Sequence, residues 1–221
     1  MDASFWHERW EKDQLGFHQA EVNAALEKHW PGLGVDRDAA VFVPLCGKSL
    51  DMHWLRRRGH PVIGVELSPI ALRDFFAEAE IEPTRAEAGA LERWSGDGLD
   101  LYRGDFFDVD ASRLCGVGGC FDRGSLIALP PETRRRYAEH LARILPDRVR
   151  ILLLSIEYDQ SKMAGPPHSV EIGEIESLFG ADFEIETLAL GDWSEPPPIF
   201  QARGMDRVRE RAVRLARGGS A

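Results

Sequence analysis

Cysteine is scarce in this chain: Cys46, Cys115 and Cys120 are the only three in 221 residues. An odd count, with no Cys-x-x-Cys pair and no His pairing nearby, excludes a disulfide framework and argues against a zinc site. Each of the three reads as a small buried residue. Long apolar runs are also missing. The longest uncharged stretch is Ala39 to Gly47, nine residues, and a membrane span needs about 20. The opening Met1-Asp2-Ala3-Ser4-Phe5-Trp6-His7-Glu8 lacks the apolar centre of a signal peptide, so a cytoplasmic protein is expected. A basic balance is absent as well. The net charge of −10 sets nucleic acid aside as a partner and favours a small-molecule one. Arginines 203, 207, 209, 211, 214 and 217 form the exception, which reads as a solvated basic edge.

What is present is ordinary for a globular chain: 43% hydrophobic and 29% charged residues. A single domain of this size buries about 70% of its unfolded surface and needs no staple. There is no repeat and no linker, so residues 1–221 are expected to form one domain, and a monomer. Residues 1–37 read as a polar, aromatic-rich helical extension and residues 38–221 as an α/β core. In the extension, Val22, Ala25, Leu26 and Trp30 recur at helical spacing before Pro31-Gly32.

Strands and helices then alternate. Short apolar runs at 39–44, 61–66, 99–102, 149–156 and 183–188 predict strands. Helical patterns are predicted at 49–58, 69–80, 131–145 and 170–179, with Ser68 as N-cap and Pro69 at the first position of the second. Residues 211–215 fit a strand or a helical turn. Such alternation implies a mostly parallel, doubly wound sheet with helices on both faces. Ligands of such sheets bind beyond the carboxyl ends of the strands.

The first of those strand ends is Val43-Pro44-Leu45-Cys46-Gly47-Lys48-Ser49. Gly-Lys-Ser suggests a phosphate loop, but Phe42 occupies the position of its first glycine. One glycine in place of three also fails the dinucleotide fingerprint, so the ligand is expected to carry no diphosphate. Glu66 ends the second strand, where a carboxylate can accept both ribose hydroxyls of an adenine nucleoside. A nucleoside without phosphates, at an acid on a second strand, fits S-adenosylmethionine. After the third strand, Asp105 and Phe106 could frame an adenine ring, or simply anchor the loop.

Together these residues resemble the thiopurine S-methyltransferase family in its bacterial form. The resemblance runs through Phe5-Trp6-x-x-x-Trp10, Gly16-Phe17-His18-Gln19 and Val43–Ser49, then Gly59-His60-x-Val62-Ile63-Gly64-Val65-Glu66. It continues with Asp105-x-Phe107-Asp108, Asp122-Arg123-Gly124-Ser125-Leu126, Tyr158-Asp159, Gly165-Pro166-Pro167 and Leu178-Phe179-Gly180. It implies a class I methyltransferase fold with a seven-stranded sheet, S-adenosyl-L-methionine as methyl donor and an aromatic or heterocyclic thiol as acceptor. Trp10, Leu45, Glu66, Phe106 and Arg123 then look like cofactor contacts, and Phe17 and Arg123 like substrate-side residues. No residue is assigned as a catalytic base and no metal is implied. The extension is implied to close over the cofactor.

Two departures stand out. Val117-Gly118-Gly119-Cys120-Phe121 puts two glycines in a central strand, which suggests loose packing near Arg123. Residues 192–203, with Pro196-Pro197-Pro198, do not register against the family, and Arg203 there is a candidate for either substrate contact or surface charge. An aromatic thiol ionises readily, so a cation such as Arg123 suffices to favour the thiolate. The blander alternative is an Asp122–Arg123 surface pair. Trp10 could stabilise the sulfonium by a cation–π contact of about 1–2 kcal/mol, and His18 could relay a proton or be structural. Two other readings remain open: methylation of small inorganic or metalloid acceptors, and a non-catalytic S-adenosylmethionine-binding module.

Overall fold

The structure is a computed structural model and describes residues 3–16 and 18–217. Its centre is five parallel strands: β1 (Ala40–Val43), β2 (Val62–Glu66), β5 (Leu99–Arg103), β6 (Val117–Arg123) and β7 (Arg150–Glu157). Antiparallel strands flank them, β3 (Thr84–Ala88) and β4 (Leu91–Gly96) at one edge, β8 (Glu184–Asp192) and β9 (Arg209–Ala216) at the other. The order is β3-β4-β5-β2-β1-β6-β7-β9-β8.

The sheet thus has nine strands, not the seven expected. The two additional ones, β3 and β4, form a hairpin around Gly89, at φ +71°. Nearly all of β3 faces solvent, so it carries no apolar alternation to read. Residues 211–215, ambiguous in sequence, lie in β9.

Alternate residues of each strand serve opposite faces. On one face Phe42, Cys120, Ile151 and Val213 pack beneath α6 (Pro131–Ile144) and α7 (Ile172–Phe179). On the other, Val41, Val43, Phe121 and Leu154 meet α2 (Ala24–His29), α3 (Leu50–Arg57) and α4 (Pro69–Glu78). Helix α1 (Ala3–Glu11) and α2 belong to the N-terminal extension; α5 (Ser125–Ala128) follows β6 and α8 (Pro198–Gln201) precedes β9. Among the described residues no helix is long and apolar enough to cross a membrane.

The paired glycines of β6 have a packing reason that corrects the expectation of looseness. A Cβ on Gly119 would lie 2.8 Å from Trp30 Cη2, and one on Gly118 would lie 2.8 Å from Ala39 Cβ. The missing side chain at Gly119 admits the Trp30 indole against the sheet, and that at Gly118 admits Ala39. Trp30 is further held by an N–H donated to His60 Nε2 at 3.2 Å, with His60 Nδ1 3.0 Å from the Ala39 carbonyl. Gly118 also falls where the register of β1 against β6 shifts.

Other expectations are corrected too. Cys46 and Cys120 are buried, but Cys115 is exposed. The basic edge is not simply solvated. Arg211 is buried and pairs with buried Glu157, which Arg209 also approaches at 2.6 Å. Arg203 is exposed and donates to its neighbour Ile199's carbonyl at 2.8 Å.

Candidate active site

The carboxyl ends of β1, β2, β5 and β6 lie on one side of the sheet because those strands are parallel. That side gathers Leu45, Glu66, Phe106 and Arg123. The first loop turns sharply after β1: Leu45 has φ +44° and Gly47 φ +54°. Leu45 therefore occupies a left-handed conformation that a side chain disfavours, a strain of the kind stored at functional sites. The Cys46 N–H is donated to the Val65 carbonyl at 2.9 Å, which holds the turn against β2.

Glu66 closes the same turn. Its Oε2 accepts the Gly47 N–H at 2.9 Å and its Oε1 accepts the Ser68 N–H at 2.7 Å. The side chain is buried, and burial raises its pKa despite these donors. The Leu67 N–H acts on the carboxylate as well, and a carboxylate's four acceptor positions exceed these three donors. Ser68 occupies the N-cap position of α4, but its hydroxyl makes no capping bond and is buried without a partner.

Trp10 of α1 lies over the loop, and a Cβ on Gly47 would sit 3.6 Å from its Cζ2. The indole is buried, so α1 is seated on the core rather than projecting from it. Phe17 lies outside the described residues. His18 is half-buried; burial and the neighbouring Lys48 cation hold its pKa down, and Arg123 and Asp51 are among the charges acting on it.

Asp105 caps a short 3-10 turn by accepting the Phe107 N–H at 3.0 Å. The Phe106 ring packs against Tyr137, with centroids 4.8 Å apart, and is buried. Behind it, Asp122 is wholly buried, accepts the Tyr137 hydroxyl at 2.7 Å and has a pKa raised by burial.

Asp122 and Arg123 point to opposite faces, so they are not the surface pair that adjacency suggested. Arg123 Nε instead lies 3.1 Å from Asp51 Oδ2 on α3. Glu210 of β9 also faces Arg123; its pKa is raised by burial and opposed by that cation. Gly124, at φ +92°, turns the chain after β6 so that the Ser125 hydroxyl donates to the Pro44 carbonyl at 2.8 Å. The first loop is thereby tied to both β2 and β6.

Sequence reasoning missed Asp51, Asn23 and Glu210. Asp51 looked like any acid in a helix's first turn, and its partners come from remote segments. A cleft of about 470 Å³ between α3 and α4, lined by His53, Arg56 and Phe75 among others, meets this site only at Lys48.

Comparisons with known proteins bear on the family and the fold. Residues 1–218 match the model of the Thiopurine S-methyltransferase family. A thiopurine S-methyltransferase of Nitrosospira multiformis is 46% identical over 210 residues, covering 95% of this chain and 96% of its own. One from Pseudomonas fluorescens is 45% identical over 215 residues, covering 97% and 99%. Among solved structures, magnesium protoporphyrin IX methyltransferase from Synechocystis with bound S-adenosylhomocysteine superposes with a TM-score of 0.65 at 15% identity, covering 98% of this chain and 100% of that one. A Burkholderia thailandensis 1,6-didemethyltoxoflavin-N1-methyltransferase gives 0.62 at 16% identity, covering 97% and 87%. The structural likenesses establish the class I methyltransferase fold, and the sequence matches establish that this chain belongs to the thiopurine S-methyltransferase family.

Proposed function

We propose that the protein methylates the sulfur of aromatic or heterocyclic thiols, thiopurines included, with S-adenosylmethionine as donor. Membership of the family supports the reaction. The observation that carries the site is Glu66, a buried carboxylate fixed by the Gly47 and Ser68 N–H groups with acceptor positions to spare. That is the acceptor a ribose diol requires, and the single-glycine loop beside it suits a ligand without phosphates.

In this reading Trp10, Leu45, Glu66, Phe106 and Arg123 hold the cofactor. Phe17 and Arg123 face the acceptor, and residues 1–37 cover both. S-adenosylmethionine, when bound, supplies a methyl carbon activated by a sulfonium. Glu66 accepts from the ribose, and Trp10 presents an aromatic face to positive charge. Arg123 stays protonated, favours the thiolate form of the acceptor and orients its ring. No general base is needed, because an aromatic thiol ionises without one. A cytoplasmic location and action as a monomer complete the reading.

The test compares two acceptors. The enzyme receives methyl-labelled S-adenosylmethionine with thiophenol and, separately, with selenite. Label on the thioether at the higher efficiency supports the reading; label passing only to selenium, or to neither acceptor, refutes it.

A further inference from the structure

Asp51 sits where three segments of the chain meet. Its side chain is 2% exposed. Oδ1 accepts the main-chain N–H of Asn23, in the N-terminal extension, at 2.8 Å. Oδ2 accepts the Ser49 hydroxyl at 2.7 Å and lies 3.1 Å from Arg123 Nε. Asn23 in turn caps α2, accepting the Ala25 and Leu26 N–H groups through its side chain. One carboxylate thus bridges the cover, the first loop and the proposed acceptor-side cation.

A role confined to helix α3 would explain the Ser49 contact but not the other two. A buried carboxylate is tolerated only where charge and hydrogen bonds satisfy it, so Asp51 needs both Asn23 and Arg123 in place. The Arg123 side chain, 18% exposed, keeps part of its surface open while its Nε is held near Asp51. Fixing a planar fork at one nitrogen restricts where the rest can point.

We propose that Asp51 is a positioning residue for methyl transfer: it orients Arg123 toward the acceptor and ties that orientation to the seating of the extension through Asn23. The proposal rests on the reading of Arg123 as an acceptor-side residue.

A double-mutant cycle tests it. Asp51→Asn keeps the shape and an acceptor for Asn23 but removes the charge that holds Arg123. Thiophenol kcat/KM falls by about tenfold, and S-adenosylhomocysteine affinity by calorimetry falls by clearly less, since Arg123 is only one of the cofactor's contacts. In an Arg123→Ala background the same substitution costs less than about twofold more, because its action passes through Arg123. Unchanged efficiency in Asp51→Asn, or an equal loss in both backgrounds, overturns the proposal. If Arg123→Ala itself retains wild-type efficiency, the acceptor role of Arg123 fails and takes the proposal with it. If Arg123→Ala is impaired and Asp51→Asn is not, only the proposal fails. Should Asp51→Asn not fold, Ser49→Ala carries the test by removing the hydroxyl that Oδ2 accepts, together with the cap it gives the Asp51 N–H, and coupling to Arg123 separates the two effects. A kcat/KM reduced about threefold and coupled to Arg123→Ala supports the proposal, and an uncoupled or absent loss overturns it.

Discussion

Glu66 Oε2 accepts the amide N–H of Gly47 at 2.9 Å, so the end of β2 and the loop after β1 act as one unit. Removing the carboxylate therefore does two things. S-adenosylhomocysteine affinity in Glu66→Ala is predicted to fall by about tenfold or more, since hydrogen bonds to a charged acceptor contribute about 1.5–3 kcal/mol each. The fold also weakens, by about 1–3 kcal/mol, because two buried N–H groups lose their partner. Calorimetry and urea denaturation measure the two separately; unchanged affinity removes Glu66 from the ribose site.

Burial raises the pKa of Glu66, so it gives up its proton at a higher pH in the native state than in the unfolded chain. The sign for stability follows: this group's contribution is fully present below the ordinary carboxylate range and is lost as pH rises through its raised native value. Ligand affinity runs the other way, since the ionised form is the better acceptor. S-adenosylhomocysteine binding is predicted to strengthen as pH rises from about 4 to 7, and Glu66→Gln to lose that rise. A flat wild-type profile contradicts the assignment.

Gly119 is predicted to resist substitution. Replacing glycine in a strand with alanine ordinarily gains about 0.5–1 kcal/mol. Here the new Cβ meets Trp30 at 2.8 Å, and overpacking costs about 1–3 kcal/mol. Gly119→Ala should therefore lower the urea midpoint, and Trp30→Leu should restore part of it. A stabilised Gly119→Ala would show that Trp30 is not packed as described.

The extension is predicted to respond to the cofactor. Trp10 over Gly47 and Asn23 on Asp51 are its attachments to the site. Protease cleavage within residues 1–37 should slow when S-adenosylhomocysteine is added, and Trp10→Ala should weaken that protection. Equal cleavage with and without the ligand contradicts a covering role.

Much of this was legible beforehand because parallel strands are short apolar runs and their ends are marked by turn residues. Glu66 could be placed at a strand end from its spacing to Gly47, and Arg123 from the family resemblance. The hairpin of β3 and β4 escaped because its exposed strand has no buried face and so no pattern. Arg123's partner escaped for a different reason. Sequence adjacency suggested Asp122, whereas alternation along β6 sends the two side chains to opposite faces and leaves Asp51 to meet Arg123. The glycine pair of β6 looked like a defect because the residue that fills the space, Trp30, comes from outside the sheet.

The central claim is that Arg123 promotes attack by an acceptor thiolate, and its pH–rate profile tests this most directly. Thiophenol kcat/KM is measured across pH for wild type, Arg123→Lys and Arg123→Ala. The account predicts a loss of about tenfold or more at neutral pH, larger for alanine than for lysine, because lysine keeps the charge but not the planar fork. It predicts that the deficit shrinks at high pH, where the free thiol is ionised without help. A deficit that stays constant across pH, or wild-type rates in both variants, would contradict it.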